Sequence, residues 1–196
     1  MQFNPEEINQ LMLARRSVFA ADYTGEKIDE SIIRTMLENA THAPTHKMTE
    51  PWRFTVFMNE GIARLAEFQS ACYEKVTRAN GTFREERFKG LQTKPFQSSC
   101  IIAIGMKRDE KAAVPEVEEI GAVFCGIENM YLTAAAYGVG CYLSTGGITY
   151  FDEAKPFFDL GPADRLIGFL HVGLPKRWPE PRSRKPLEAV TSWVKS

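Results

Sequence analysis

The sequence feature that most constrains the fold is a long helical pattern from about Val117 to Tyr137, which is apolar on most of its faces. Such a helix must be buried nearly all round. The small residues in it are Gly121, Ala122, Cys125, Gly126, Ala134 and Ala135. Glycine lowers the stability of a helix by up to about 1 kcal/mol relative to alanine. We therefore expect Gly121 and Gly126 to lie where another backbone comes close, and that backbone could belong to a second subunit. Four polar residues exclude a membrane span: Glu118, Glu119, Glu128 and Asn129.

The chain has 196 residues, of which 44% are hydrophobic and 25% are charged, and this composition is typical of a globular protein. We expect one domain over residues 1–196. The net charge of -1 provides no general basic surface for nucleic acid. The four cysteines are too widely spaced for a redox pair or a zinc site, and they predict reduced thiols in the cytoplasm. The His42 and His46 pair lacks a nearby thiol or carboxylate partner, so no metal site is expected.

Local patterns predict an α+β fold with a mostly antiparallel sheet. Capping residues and apolar spacing favour helices over 5–16, 29–42, 62–77 and 117–137, with a short one over 152–159. Runs of β-branched and aromatic residues favour strands over 53–58, 98–106, 141–144 and 166–172. Residues 78–94 are polar and poorly periodic, and they are the best candidate for a mobile lid. The proline-rich arm from about 174 to 196 is expected to lie along a partner subunit.

Two short basic clusters stand near opposite ends of the chain, Arg15-Arg16-Ser17 and Arg182-Ser183-Arg184-Lys185-Pro186. Arginine offers a planar fork of donors that matches phosphate oxygens, and serine adds a neutral donor. The sequence has no dinucleotide-binding glycine fingerprint, no P-loop and no nucleophile elbow. Side chains would therefore have to hold any phosphate, although both clusters could equally be solvated charge runs.

Six motifs in order resemble the nitroreductase family of FMN-dependent oxidoreductases over nearly the whole chain, most of all its compact subgroup of NAD(P)H nitroreductases. They are residues 14–19 (ARRSVF), 40–54 (ATHAPTHKMTEPWRF), 134–140 (AAAYGVG), 144–147 (STGG), 166–173 (LIGFLHVG) and 182–187 (RSRKPL). Each motif alone is weak, whereas six at matching separations are specific.

The resemblance implies a homodimer with two FMN sites, each built from both chains at an interface that includes the long helix. The FMN phosphate and ribityl chain would meet five residues: Arg15, Arg16, Ser17, Arg182 and Arg184. Pro44, Thr45 and His46 of the partner chain would line the isoalloxazine. Ser144, Thr145 and Gly146 form a turn whose backbone amides would face the flavin, as a glycine-bearing turn with open N–H groups allows.

The implied reaction is ping-pong: NAD(P)H gives hydride to flavin N5, leaves, and is replaced by an electron-poor small-molecule acceptor such as a nitroaromatic or a quinone. No residue is expected to act as a catalytic acid or base. Two alternatives stay open, a flavin-dependent dehydrogenase or dehalogenase of the same fold and a flavin-binding protein without turnover.

The sequence departs from the family pattern at three places. Phe19 stands where relatives commonly have a basic residue that stabilises negative charge on the flavin. His46 and Glu50 replace an asparagine and a glutamine, and Leu143-Ser144-Thr145 replaces a Trp-Arg-Ser stretch. His171, inside an apolar strand, is expected to be a core histidine. Tyr142 is expected in the core more than beside a ligand.

Overall fold

The computed structural model describes residues 3–195, with a four-stranded antiparallel sheet at the centre. Its strands are β1 (Trp52–Met58), β2 (Cys100–Met106), β3 (Gly140–Ser144) and β4 (Arg165–Gly173), in the order β1-β2-β4-β3. Every residue of β2 is buried, as its nearly continuous run of isoleucines predicts. The α+β class with an antiparallel sheet is thus confirmed.

The described helices are α1 (Pro5–Ala14), α2 (Glu30–Thr41), α3 (Glu60–Ala79), α4 (Glu85–Thr93) and α5 (Glu116–Ala136). The starts of α1 and α2 follow from their caps, because the Asn4 side chain accepts a hydrogen bond from the Glu6 amide and Asp29 accepts one from the Ser31 amide. The predicted short helix is a 3₁₀ segment, Asp152–Phe158.

The helices cover both faces of the sheet. One face packs on α2 and α5 through a core that includes Met36, Ile102, Val123 and Leu170. The opposite face, which carries Ile101 and Phe169, packs on α3 and the 3₁₀ segment. A Cβ atom on Gly126 would lie 3.0 Å from the Ala40 carbonyl oxygen, so the expected close approach of a backbone at Gly126 is confirmed, and that backbone belongs to α2.

One strip of α5 stays exposed in the single chain. It carries Val117, Gly121, Phe124, Cys125 and Glu128, whose spacing places them along one side of the helix. A Cβ atom on Gly121 would meet nothing within 4 Å. The residues of this strip, which we call the α5 strip, are mostly apolar or small, and all five are exposed.

The segment predicted as a lid contains a helix. Helix α3 ends at Ala79 and α4 begins at Glu85. Phe83 and Phe88 pack on the α3 side of the core, with Phe83 against Tyr73 and beneath the Arg78 guanidinium. Sequence periodicity missed α4 because it is short and has no buried residue.

The arm after Gly173 begins against its own chain. The Lys176 amide donates to the Asp22 carbonyl, and the Trp178 indole donates to the Ala14 carbonyl at 2.9 Å. Residues 182–190 and 192–195 are exposed. Residues 1, 2 and 196 of the predicted domain lie outside the described residues. Between residues 3 and 195, no helix is long and apolar enough to cross a bilayer.

Candidate functional site

A cleft of about 620 Å³ opens on the α3 side of the sheet, beside the edge strand β3. Its volume is in the range of small-molecule sites. Phe19, Tyr142 and Phe169 give it aromatic walls, α3 and α4 close one side, and the turn after β3 closes another. The cleft can hold a flat organic ligand.

Tyr142 and His171 are paired residues of β3 and β4, and their rings lie side by side with centroids 6.1 Å apart. Phe19 packs on Tyr142 at a centroid distance of 4.6 Å. Ser98 and the Nδ1 atom of His171 are hydrogen-bonded at 3.0 Å. Burial lowers the pKa of His171 to about 4, so the imidazole is neutral at neutral pH. The histidine expected in the core therefore forms part of the cleft wall.

The turn after β3 presents Ser144 and Gly146 to the cleft. The Gly146 carbonyl accepts a hydrogen bond from the Thr149 hydroxyl at 2.8 Å, which holds the turn. Within residues 3–195, the amides of Thr145 and Gly146 donate to no protein group. A Cβ atom on Gly168 would lie 2.6 Å from the Ser144 carbonyl oxygen, so only glycine in β4 lets the turn approach this closely.

The first basic cluster lies where α1 ends, next to β3. Arg15 forms an ion pair with Glu128 at 3.2 Å and lies over the Tyr131 ring. The backbone of Ser17 pairs with Cys141 of β3 in an isolated parallel β-bridge. Burial raises the pKa of Tyr131, and the nearby Ser17 and Arg15 oppose that shift. Arg15 and Ser17 thus share one neighbourhood, at the opposite end of β3 from the turn.

Arg16 caps the end of α1, because its guanidinium donates to the carbonyls of Leu13 and Arg15 at 2.6 and 2.7 Å. Its Nε atom is buried and has no partner in the described part of the chain. Arg16 also borders a smaller hollow with Trp178, Pro179 and Pro181 of the arm. The arm therefore returns to the first basic cluster.

Arg182 and Arg184 follow that contact, on the exposed part of the arm. No ion pair joins either of them to a carboxylate between residues 3 and 195. The chain termini approach each other through the hydrogen bond between Trp178 and Ala14.

Pro44, Thr45 and His46 lie at the other end of α5. His46 Nδ1 is 2.5 Å from a carboxylate oxygen of Glu118, and Lys47 donates to the Ala113 carbonyl. Since Glu118 and Glu128 are ten helical residues apart, His46 and Arg15 are roughly 15 Å apart along α5. The single chain thus separates the predicted ring contacts from the predicted phosphate contacts.

The loop that follows His46 has a strained backbone. Lys47, Met48 and Glu50 have positive φ values of 51°, 53° and 44°. Such angles are uncommon for residues other than glycine, and they concentrate at functional loops. Sequence reasoning had no signal for this strain, because none of these residue types favours the conformation.

Several lining residues of the cleft were not predicted, notably Gln69, Tyr73, Arg87, Lys94 and Gln97. They come from α3, α4 and the segment after it. The polar composition of residues 78–94 pointed to the region, but only the fold could place α3 beside β4.

The family model described as Nitroreductase family matches residues 12–174. A relative in Bacillus subtilis (strain 168), "Putative NAD(P)H nitroreductase YfhC", is 27% identical over 181 residues, covering 92% of this chain and 90% of its own.

Solved structures show the same fold. The nitroreductase-like family protein from Bacillus cereus has a TM-score of 0.83 at 24% identity and covers 100% of this chain and 99% of its own. A nitroreductase with bound FMN from Bacteroides fragilis has a TM-score of 0.69 at 17% identity, with 96% of this chain and 99% of its own covered.

Proposed function

This chain belongs to the nitroreductase family, and from that premise we propose that it is an FMN-dependent oxidoreductase that transfers hydride from NAD(P)H to an electron-poor acceptor. The observation that carries the proposal is the aromatic cleft bordered by Ser144, Gly146 and Gly147, in a turn where the Thr145 and Gly146 amides donate to no described protein group. The name of the Bacillus subtilis relative supports NAD(P)H as co-substrate, and the FMN-bound structure supports the cofactor.

The residues of the cleft fit a flavin ring. A Cβ atom on Gly146 would meet nothing within 4 Å, which leaves room for a ring edge against the turn. The amides of Thr145 and Gly146 can donate to the electron-rich edge of that ring. Phe19 and Tyr142 supply aromatic surface.

The residues near the end of α1 fit a phosphate. Arg15 is four-fifths buried beside the Ser17 hydroxyl and Tyr131, and the Arg16 Nε atom is a buried donor without a partner. Guanidinium and hydroxyl donors are the groups that bind phosphate without a glycine-rich loop. Arg182 and Arg184 would join them, since the arm reaches Ala14 at Trp178.

When bound, FMN would supply hydride transfer through its N5 atom. The protein residues would stack the substrate, exclude water and stabilise negative charge through the turn amides. In a ping-pong scheme NAD(P)H and then an acceptor such as a nitroaromatic or quinone would occupy the same cleft. No residue of the cleft is assigned as a catalytic acid or base.

We propose that the active unit is a homodimer. The α5 strip supports this proposal because it is apolar, exposed and close to both Arg15 and His46. A second chain packed on the α5 strip would cover it and would bring Pro44, Thr45 and His46 of one chain to the cleft of the other. The exposed part of the arm would lie along the partner, and the protein would work in the cytoplasm.

Anaerobic titration tests the function. NADH or NADPH should bleach the flavin absorbance of the purified protein, and an added nitroaromatic or quinone should restore it. Flavin that NAD(P)H bleaches but that no nitroaromatic or quinone reoxidises would favour a dehydrogenase or dehalogenase of the same fold.

One observation favours a flavin-binding protein without turnover. The Phe19 ring packs at a tilt on Tyr142, at the position where a basic residue could otherwise stabilise reduced flavin. Persistent yellow colour with both reductants would support this second candidate, and protein that refuses added FMN would contradict both.

A further inference from the structure

Gln69 of α3 is a buried amide that opens into the cleft. Its side chain is only 6% exposed and lines the cavity. Its amide forms no hydrogen bond with residues 3–195, yet neither amide atom is sealed from solvent. The amide therefore faces the space of the cleft, where it can hydrogen-bond a bound ligand.

His171 of β4 lines the same cleft with one ring nitrogen uncommitted. Its Nδ1 atom is engaged with Ser98 at 3.0 Å. The Nε2 atom has no partner in the described part of the chain and is not sealed from solvent. Since the second nitrogen of a neutral imidazole is a donor or an acceptor according to the tautomer, it can make one more hydrogen bond.

The charged residues that line the cleft lie at its rim, away from Gln69 and His171. Glu86 and Arg87 of α4 and Lys94 after it also line the cavity, but their side chains are exposed at its rim. Gln69 and His171 are both uncharged, and the aromatic rings beside them suit a flat ligand. This part of the cleft matches a neutral polar group better than an anion, which the rim cations would hold.

We infer that Gln69 and His171 form a subsite that hydrogen-bonds the uncharged amide or imide edge of a flat heterocycle in the cleft. A primary amide complements such an edge because it offers a donor and an acceptor side by side. The carboxamide of a nicotinamide and the pyrimidine edge of a flavin share this chemistry. This inference rests on the proposed function, and it assigns to Gln69 and His171 the hydrogen bonds to the flavin or the nicotinamide.

Binding measurements on the flavin-loaded protein test the subsite with two variants. Gln69→Leu removes the amide at similar volume, and His171→Phe keeps an aromatic ring beside Tyr142. Gln92→Leu is the matched control, because Gln92 is exposed on α4 and lies outside the cleft lining. FMN release on dilution is followed by flavin fluorescence, and binding of the unreactive analogue tetrahydro-NADH by calorimetry. Thermal melting confirms that each variant is folded.

We expect each variant to bind one of the two ligands about tenfold more weakly, while Gln92→Leu matches the wild type. Weaker FMN binding identifies the flavin edge as the ligand of the subsite, and weaker analogue binding identifies the nicotinamide carboxamide. Affinities within twofold of wild type for both ligands, in both variants, overturn the inference. Wild-type protein that binds no FMN overturns the proposed function instead. In that case the subsite stands only if both variants bind tetrahydro-NADH more weakly than the wild type.

Discussion

At the scale of single residues, the chain holds its buried polar groups in two different ways. Glu119 is 1% exposed and is fully committed, since its carboxylate accepts from the Arg108 guanidinium and from the Asp109 amide at 3.0 Å. Gln69 and His171 keep uncommitted polar atoms that face the cleft. The first arrangement stabilises the loop before α5, whereas the second leaves groups ready for a ligand.

Replacing Glu119 with glutamine should destabilise the protein by roughly 3 kcal/mol, because Arg108 would keep its charge in a largely buried place without a counter-ion. Urea unfolding measures the change. Glu118→Gln is the control: its pair with His46 is exposed, so the loss should stay below about 1 kcal/mol. Equal losses in the two variants would contradict the structural role of Glu119.

His171 should make stability depend on pH. Burial lowers its pKa from 6.5 to about 4, so between these values the unfolded chain binds more protons than the folded one. The stability that the folded chain owes to a neutral His171 is fully present above pH 6.5 and is lost as the pH falls towards about 4. Urea midpoints at pH 7.5 and pH 5 should fall less in His171→Phe than in the wild type. The same fall in both proteins would show that His171 titrates normally.

Arg184→Ala should weaken FMN binding roughly tenfold or more, because a phosphate charge would lose a guanidinium partner at a partly buried site. Lys185→Ala, a neighbouring charge change on the same arm, should have a much smaller effect. The dissociation constant for FMN is the measurement. Unchanged affinity in Arg184→Ala would remove this residue from the proposed site.

At the scale of secondary-structure elements, sequence patterns predicted most of the fold. Caps at Asn4 and Asp29 fixed two helix starts, and the apolar run of β2 predicted a central strand. The patterns failed at α4, a short helix without buried residues. His171 is largely buried and paired with Ser98, as a core histidine would be, and only the fold shows that it also lines a cleft. Gln69 had no local signal, since its role depends on how α3 packs on the sheet.

The contact between α2 and α5 depends on Gly126. Gly126→Ala should destabilise the protein by about 1–3 kcal/mol, because the new Cβ atom would lie 3.0 Å from a backbone oxygen that cannot easily move. Gly61→Ala in α3 is the control, with its nearest contacts at 3.9 Å, and it should be neutral or slightly stabilising. Thermal or urea unfolding compares them, and a neutral Gly126→Ala would refute the tight contact.

At the scale of the whole molecule, the proposed site would be built from two chains. Arg15 and His46 lie at opposite ends of α5, and the α5 strip between them is exposed. The family resemblance implied this separation by assigning Pro44, Thr45 and His46 to the partner chain, whereas motif order alone says nothing about which subunit supplies which group. In the proposed dimer, a second copy on the α5 strip would bring the two sets of contacts together.

Phe124→Glu should therefore weaken dimerisation, since it places a charge in the middle of the α5 strip, where Phe124 is 44% exposed in the single chain. Light scattering coupled to gel filtration should show monomer, and FMN should be lost with the dimer. Phe96→Glu is the control, because Phe96 is also exposed but lies outside the α5 strip. A Phe124→Glu dimer that keeps its flavin would contradict the shared site.

Every role proposed for these residues depends on FMN being bound by this protein. Mass spectrometry of the ligand released from freshly purified, folded protein tests it most directly. The expected result is the mass of FMN at one molecule per chain. Protein that releases no flavin and takes up none when FMN is added would contradict the account.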